Sequence, residues 1–198
     1  KTALESETAQ LDTDIEGLKQ IKKKLVFAMI ALVMVFGMFE GYTSWAKNQV
    51  KEETSIILGN WIKYTDGTAK DTRTNLVWMV RDFRILERRQ PTGWDEANVW
   101  VQKINEEKYA GYSDWRLPTV EELEAVYKED GKQLAYDRKE NFPLGNPDAF
   151  ESGGGYGFWS NEQMGLDSAR YFFFLGGYSK TSLKNYNNPT LSVRLIRN

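Results

Sequence analysis

The pattern of apolar and polar positions divides the chain into distinct textures. In the first 24 positions, Leu4, Leu11, Ile15 and Leu18 recur at helical spacing among five acidic and five basic residues. That is the mark of an amphipathic helix with one narrow apolar stripe. Residues 1–24 read as a tail, either a docking helix held by a partner or a partly ordered juxtamembrane segment. From Leu25 to Phe39 the run LVFAMIALVMVFGMF carries no charge. With Gly41 to Ala46 beyond Glu40, residues 25–46 predict a helix that crosses a hydrocarbon layer of about 30 Å. Residues 47–59 read as a linker. From Asn60 the apolar runs shorten and Gly, aromatic and turn residues multiply, so 60–198 reads as one globular domain.

Within that domain the spacing predicts a strand at Trp61–Tyr64, a turn at Asp66-Gly67 and a strand over Asn75–Val80. Trp94, Ala97, Val101 and Ile104 share one helical face. Thr119 and Glu122 have capping-box spacing, followed by Leu123, Val126 and Tyr127 on an apolar face and Gly131 as the expected stop. Further strands are expected at Gly157–Ser160, Ala169–Leu175 and Leu191–Arg197. Residues 81–91, RDFRILERRQP, read as an extended connection before the first helix, in which Arg81, Arg84 and Arg88 either line one helical face or, as the favoured role, form a solvated surface. Gly153 to Gly155 read as a flexible loop, since no lysine or strand–helix context makes them a phosphate cradle. Two helices with scattered short antiparallel strands indicate an α+β class.

Charge orients the predicted span. Lys19, Lys22, Lys23 and Lys24 precede it, whereas Lys47 and Lys51 beyond it are offset by Glu52 and Glu53. The tail is therefore expected in the cytoplasm and the domain outside. Glu40 falls near the far interface, with Tyr42 and Trp45 as an aromatic belt. A cleaved signal peptide is disfavoured because no small-residue cleavage site follows the apolar run. A buried helix of a soluble protein is disfavoured by the unbroken apolar face. Gly37 and Gly41 form a GxxxG, a face for close packing against another helix. The chain opens on Lys1 rather than Met, from which a start further upstream is expected.

The chain has no cysteine and no histidine. That excludes disulfides, thiol catalysis, Ser-His-Asp triads, iron–sulfur clusters and the usual zinc sites. Oxygen donors alone suit calcium or magnesium, and a calcium site needs about six to eight of them. Asn161 and Glu162 are the nearest candidates and supply too few. No cofactor is expected. The net charge of -2 is spread along the chain without a basic stripe, so no nucleic-acid partner is expected.

Four pieces occur in order: residues 71–78 (DTRTNLVW), residues 111–123 (GYSDWRLPTVEEL), residues 158–162 (FWSNE) and residues 193–197 (VRLIR). Together they resemble the bacterial domain family named for the C-terminal domain of the collagen-like adhesin Lcl, over roughly 60–198. The resemblance implies a fold similar to C-type lectins and formylglycine-generating enzymes. Asn75 stands where the family generally has Gly, and Asn also accepts a left-handed turn. Cysteines of some members are absent, and with them the chemistry of the formylglycine-generating relatives.

Trp115 and Trp159 are candidates for stacking on a sugar, with core packing as the competing role. Asp114 and Arg116 are expected to pair with each other or with backbone carbonyls, fixing the loop before the capped helix, with ligand binding by the two as the alternative. No Asp/Glu pair can be singled out as an acid and base, so the reading is non-catalytic. Two functions remain. One is an accessory or scaffold subunit of a bacterial inner-membrane assembly, with integral membrane subunits as partners and a periplasmic or extracellular interaction domain. The other is a surface module that binds glycan.

Overall fold

A computed structural model describes residue 10, residues 13–28 and residues 55–198. The chain divides into two compact units, Lys1–Glu53 and Thr54–Asn198. In the first, residues 13–28 form helix α1, on which Ile15, Leu18 and Ile21 are all exposed. The expected span, with Gly37 and Gly41, falls mainly on residues outside the described ones. Among the described residues no helix is long and apolar enough to cross a membrane.

The second unit is a mixed α+β domain. Strands β1 (Ser55–Leu58), β2 (Trp61–Tyr64), β3 (Thr68–Asp71) and β4 (Val77–Met79) form an antiparallel meander. The chain then runs through helices α2 (Phe83–Glu87), α3 (Trp94–Glu106) and α4 (Val120–Ala125). A second sheet contains β5 (Gly157–Met164), β6 (Ser168–Phe173) and β7 (Tyr178–Leu183), with β8 (Leu191–Ser192) parallel to β5. Strand β9 (Ile196–Arg197) returns to pair with β4, giving the order β1-β2-β3-β4-β9.

Local chemistry sets the turns. Asp66 accepts the Thr68 N–H at 3.0 Å and its hydroxyl at 2.6 Å, while Gly67 takes φ 89°. Such an Asx turn reverses the chain between β2 and β3. Asn75 has φ 62°, a left-handed conformation that Asn accepts more readily than most residues. Thr119 and Glu122 form the reciprocal capping box, with bonds of 3.1 and 2.7 Å.

Packing then fixes the layers. Trp61 meets Trp78 and Phe150 edge to face, and Trp78 meets Phe150 at a tilt of 44°, with centroids 5.4–6.5 Å apart. Phe83, Trp94, Trp100, Trp115 and Trp159 belong to a second buried cluster under α3. Burying each such ring contributes about 1.5–3 kcal/mol.

Several expectations are corrected. Residues 55–58 of the expected linker are β1, paired with β2, so the domain begins earlier than Asn60. The segment 81–91 is not simply extended. Asp82 caps α2 by accepting the Ile85 N–H at 3.0 Å and the Gly155 N–H at 2.8 Å. Arg84 is consequently buried, donates to the Pro189 carbonyl at 2.7 Å and lies 3.5 Å over the Tyr136 ring. On α3 the fully covered aromatic is Trp100, while Val101 is only half-buried. Helix α4 ends at Ala125, with Val126 as C-cap, well before Gly131. The expected strand Leu191–Arg197 splits into β8 and β9, which serve different sheets. Strands β3 and β7 add to those expected.

Candidate functional site

The four motif pieces converge on the start of α4. The Arg116 N–H donates to the Ile196 carbonyl at 2.8 Å, and the Ile196 N–H returns to Arg116 at 3.0 Å. Trp78 pairs with Ile196 across β4 and β9. The Asn161 N–H donates to the Pro118 carbonyl at 2.9 Å. One carboxylate oxygen of Glu162 accepts the Val120 N–H at 2.6 Å, and the other accepts from Arg170 at 2.7 Å. A charge-assisted bond from another sheet thus satisfies one of the orphan N–H groups at a helix start.

Asp114 and Arg116 do not pair with each other. Arg116 forks onto Glu122 at 2.8 and 2.7 Å and also reaches the Asn198 side chain at 3.0 Å. Asp114 accepts from Arg197 at 2.7 and 3.0 Å, and that bond holds its carboxyl below the usual aspartate range. Burial pushes the Glu122 carboxyl up, but Arg116 and the Thr119 N–H together hold it lower than an ordinary glutamate.

Trp115 and Trp159 are both buried, at 2% and 1% exposure, so neither presents a face to a sugar. The Trp115 indole donates to the Tyr109 carbonyl at 3.1 Å, and Asn105 bonds both backbone groups of Trp115 at 2.8 Å. Trp159 packs edge to face on Tyr171. Asn161 is exposed, whereas both oxygens of Glu162 are engaged with protein donors. Among the described residues no group of three or more acidic side chains could hold a metal ion.

Arg194, within the last motif, is fully buried. One of its amino groups donates to the carbonyls of Met79 and Val80, both at 2.6 Å. Its guanidinium lies 4.0 Å over Phe150 and 4.8 Å over Phe158. Burial draws its pKa down to about 10. Sequence reasoning passed over Arg194, Asp82 and Asn105. Only Asp82 carried a local signal, as a capping residue just before an apolar run.

With most motif side chains engaged internally, surface concavities among the described residues are the candidates for binding, and two of them stand out. The larger, about 590 Å³, lies beside β1. Ile57, Leu58 and Trp61 line it from the first hairpin, Val126 to Lys128 from the end of α4, and Pro147 and Asp148 from a loop. Lys128 reaches Asp148 at 3.0 Å at its rim. Arg73 holds buried Asp71 at 3.1 and 3.0 Å and the Ala125 carbonyl at 2.9 Å, tying the groove walls together. The wall residue Ile57 is 74% exposed. The smaller recess, about 260 Å³, includes Tyr136, Phe142, Tyr156, Asp137, Lys139 and Thr190. There the Tyr156 hydroxyl donates to Asp137 at 2.8 Å. Neither concavity was legible as such in the sequence, because each is assembled from distant segments.

A family model described as the Lcl C-terminal domain matches residues 67–197. No curated protein and no solved structure matches the chain.

Proposed function

The chain belongs to the Lcl C-terminal domain family, and we propose that it is a non-catalytic, single-pass accessory or scaffold subunit of a bacterial membrane assembly. Residues 25–46 anchor it in the inner membrane, with the tail in the cytoplasm and the domain outside. Gly37 and Gly41 pack the anchor against another integral subunit. The domain binds a protein partner through the groove beside β1. Its likeness to C-type lectins belongs to the same proposal, supported by β9 closing the sheet that β1 opens.

The observation that carries the reading is the groove itself. It joins the exposed Ile57 and the partly buried Leu58 to a rim of Lys128 and Asp148, beside β1. A lining that mixes apolar side chains with polar and charged ones suits protein contact. Purification of the full chain from membranes in mild detergent tests it: a stoichiometric membrane partner should accompany it. Recovery of the chain alone, under conditions that preserve other assemblies, would contradict it.

A second reading is favoured by the smaller recess. Tyr136 and Phe142 are exposed there beside Asp137, Lys139 and Thr190, an arrangement that offers a sugar ring apolar faces and hydrogen-bond partners. A glycan array on residues 55–198, with and without calcium, tests it. Sugar binding lost in Tyr136→Ala, with the fold retained, would promote this reading over the scaffold one.

A further inference from the structure

We infer that α1 is one half of a parallel two-stranded coiled coil, which joins two copies of this chain along Ile15, Leu18, Lys22 and Leu25. Within α1 these four residues are spaced three, four and three apart, the a and d positions of a heptad. Ile15, Leu18 and Leu25 are 45%, 65% and 62% exposed. The same phase runs on in the sequence, where leucine recurs at every seventh position from Leu4 through Leu11, Leu18 and Leu25 to Leu32. A straight helix drifts by about 20° per heptad, so a strict seven-residue repeat keeps to one side only where helices supercoil.

The spacing selects a helix as the occupant. A helix that lies on a broad surface presents a wide apolar face, whereas the seam of a coil is narrow. Asp14 and Lys19 flank the seam at g and e, and Glu16 and Lys23 lie beyond them. Only Ile21 widens the stripe before Leu25. From Leu25 onward apolar residues spread round the helix, where the proposed anchor begins.

Charge then selects a second copy. In a parallel pair the g position of one helix meets the e position of the next heptad on its mate. That brings Asp14 of each copy to Lys19 of the other, twice over by symmetry. An antiparallel pair would set g beside g and e beside e, opposing like charges. Anchors that enter one membrane from the same side impose the same parallel direction. Isoleucine at a with leucine at d favours two strands, and a lysine at an a position, here Lys22, fixes the register at some cost in stability.

A helix as short as α1 draws little stability from propensity and most of it from packing an apolar stripe. Gly17 inside it costs about 1 kcal/mol relative to alanine. Confinement in one membrane raises the effective concentration of the copies and favours pairing. The inference rests on the proposed function only for that shared membrane, and it adds a stoichiometry of two copies per assembly.

The absence of cysteine allows a direct test. Cysteine is placed in the full chain as Leu18→Cys, on the seam, or as Gln20→Cys, at f on the outer face. Native membranes are oxidised with copper–phenanthroline. Mates at d face each other across the seam, within disulfide reach. Leu18→Cys should form a covalent homodimer several-fold faster than Gln20→Cys. In the Leu18→Cys chain, Asp14→Lys should slow cross-linking several-fold, and Lys19→Asp should do the same. The two together should restore most of the rate, a recovery specific to self-pairing because any other partner would be mismatched at both positions. Equal rates at Leu18→Cys and Gln20→Cys, cross-linking only to a different protein, or no recovery in the double variant would overturn the inference and leave the scaffold reading standing. Recovery of the parent chain in the soluble fraction would refute the anchor instead. The same comparison at high protein concentration would then decide the coil, and equal rates would again overturn it.

Discussion

Glu162 reaches from β5 to the first turn of α4, where its carboxylate accepts the Val120 N–H at 2.6 Å. Its second oxygen holds Arg170 at 2.7 Å. The polar residues of a motif thus act here as clamps between segments. Glu162→Ala is expected to cost about 2 kcal/mol, the scale of hydrogen bonds to a charged group. Chemical denaturation of residues 55–198 checks this. An unchanged midpoint would mean that the carboxylate is free for a ligand.

The local cap adds its own share. Thr119→Ala removes the 3.1 Å acceptor for the Glu122 N–H and is expected to cost about 0.5–2 kcal/mol. Glu122 also grips Arg116, so Glu122→Ala should cost more than Thr119→Ala. Melting midpoints of the two variants give the order, and the reverse order would contradict the clamp.

What the sequence disclosed follows the range of each interaction. The capping box was legible because Thr119 and Glu122 lie within one turn, and the left-handed Asn75 because its own residue type signals it. Glu162 on Val120 and Arg197 on Asp114 were not, because those partners are 42 and 83 positions apart. Helix α2 was missed for a related reason. Five residues are too few to be stable through propensity, and Asp82 draws its second bond from distant Gly155. Trp115 and Trp159 carried both readings, sugar stacking and core, and their burial decides for the core. The groove drew on β1, which the sequence presented as linker, so its site could not be assembled in advance.

Acid should weaken one surface clamp in a definite window. The Arg89 guanidinium, then the Thr92 groups, outweigh burial and hold the Glu96 carboxyl down to about 2, against about 4.5 ordinarily. A carboxyl depressed in the folded state contributes stability above the unfolded value and loses it as pH falls through the folded one. Arg89→Gln should therefore be less stable than the parent at neutral pH, by no more than about 1 kcal/mol for a half-exposed pair. The difference should shrink as pH falls from 4.5 towards 2. Melting curves across that range check it, and a constant difference would assign the effect to packing.

Topology has its own test. The lysines before Leu25 set the expected orientation. Protease added to intact spheroplasts should remove the domain and leave the tail protected. A protected domain would reverse the orientation and with it the proposed place of the groove.

The central claim is that the groove beside β1 holds a protein partner while the motif residues hold the fold. Lys128→Glu is the most direct probe, since Lys128 stands at the groove rim and is half-exposed. Co-purification of the full chain with its membrane partner is measured in mild detergent for the parent, for Lys128→Glu and for Gly37→Leu with Gly41→Leu. Melting midpoints of the domain are recorded alongside. We predict that Lys128→Glu lowers partner recovery with the midpoint nearly unchanged, and that the glycine pair lowers it independently. Full recovery in both variants, together with sugar binding by residues 55–198, would contradict the account.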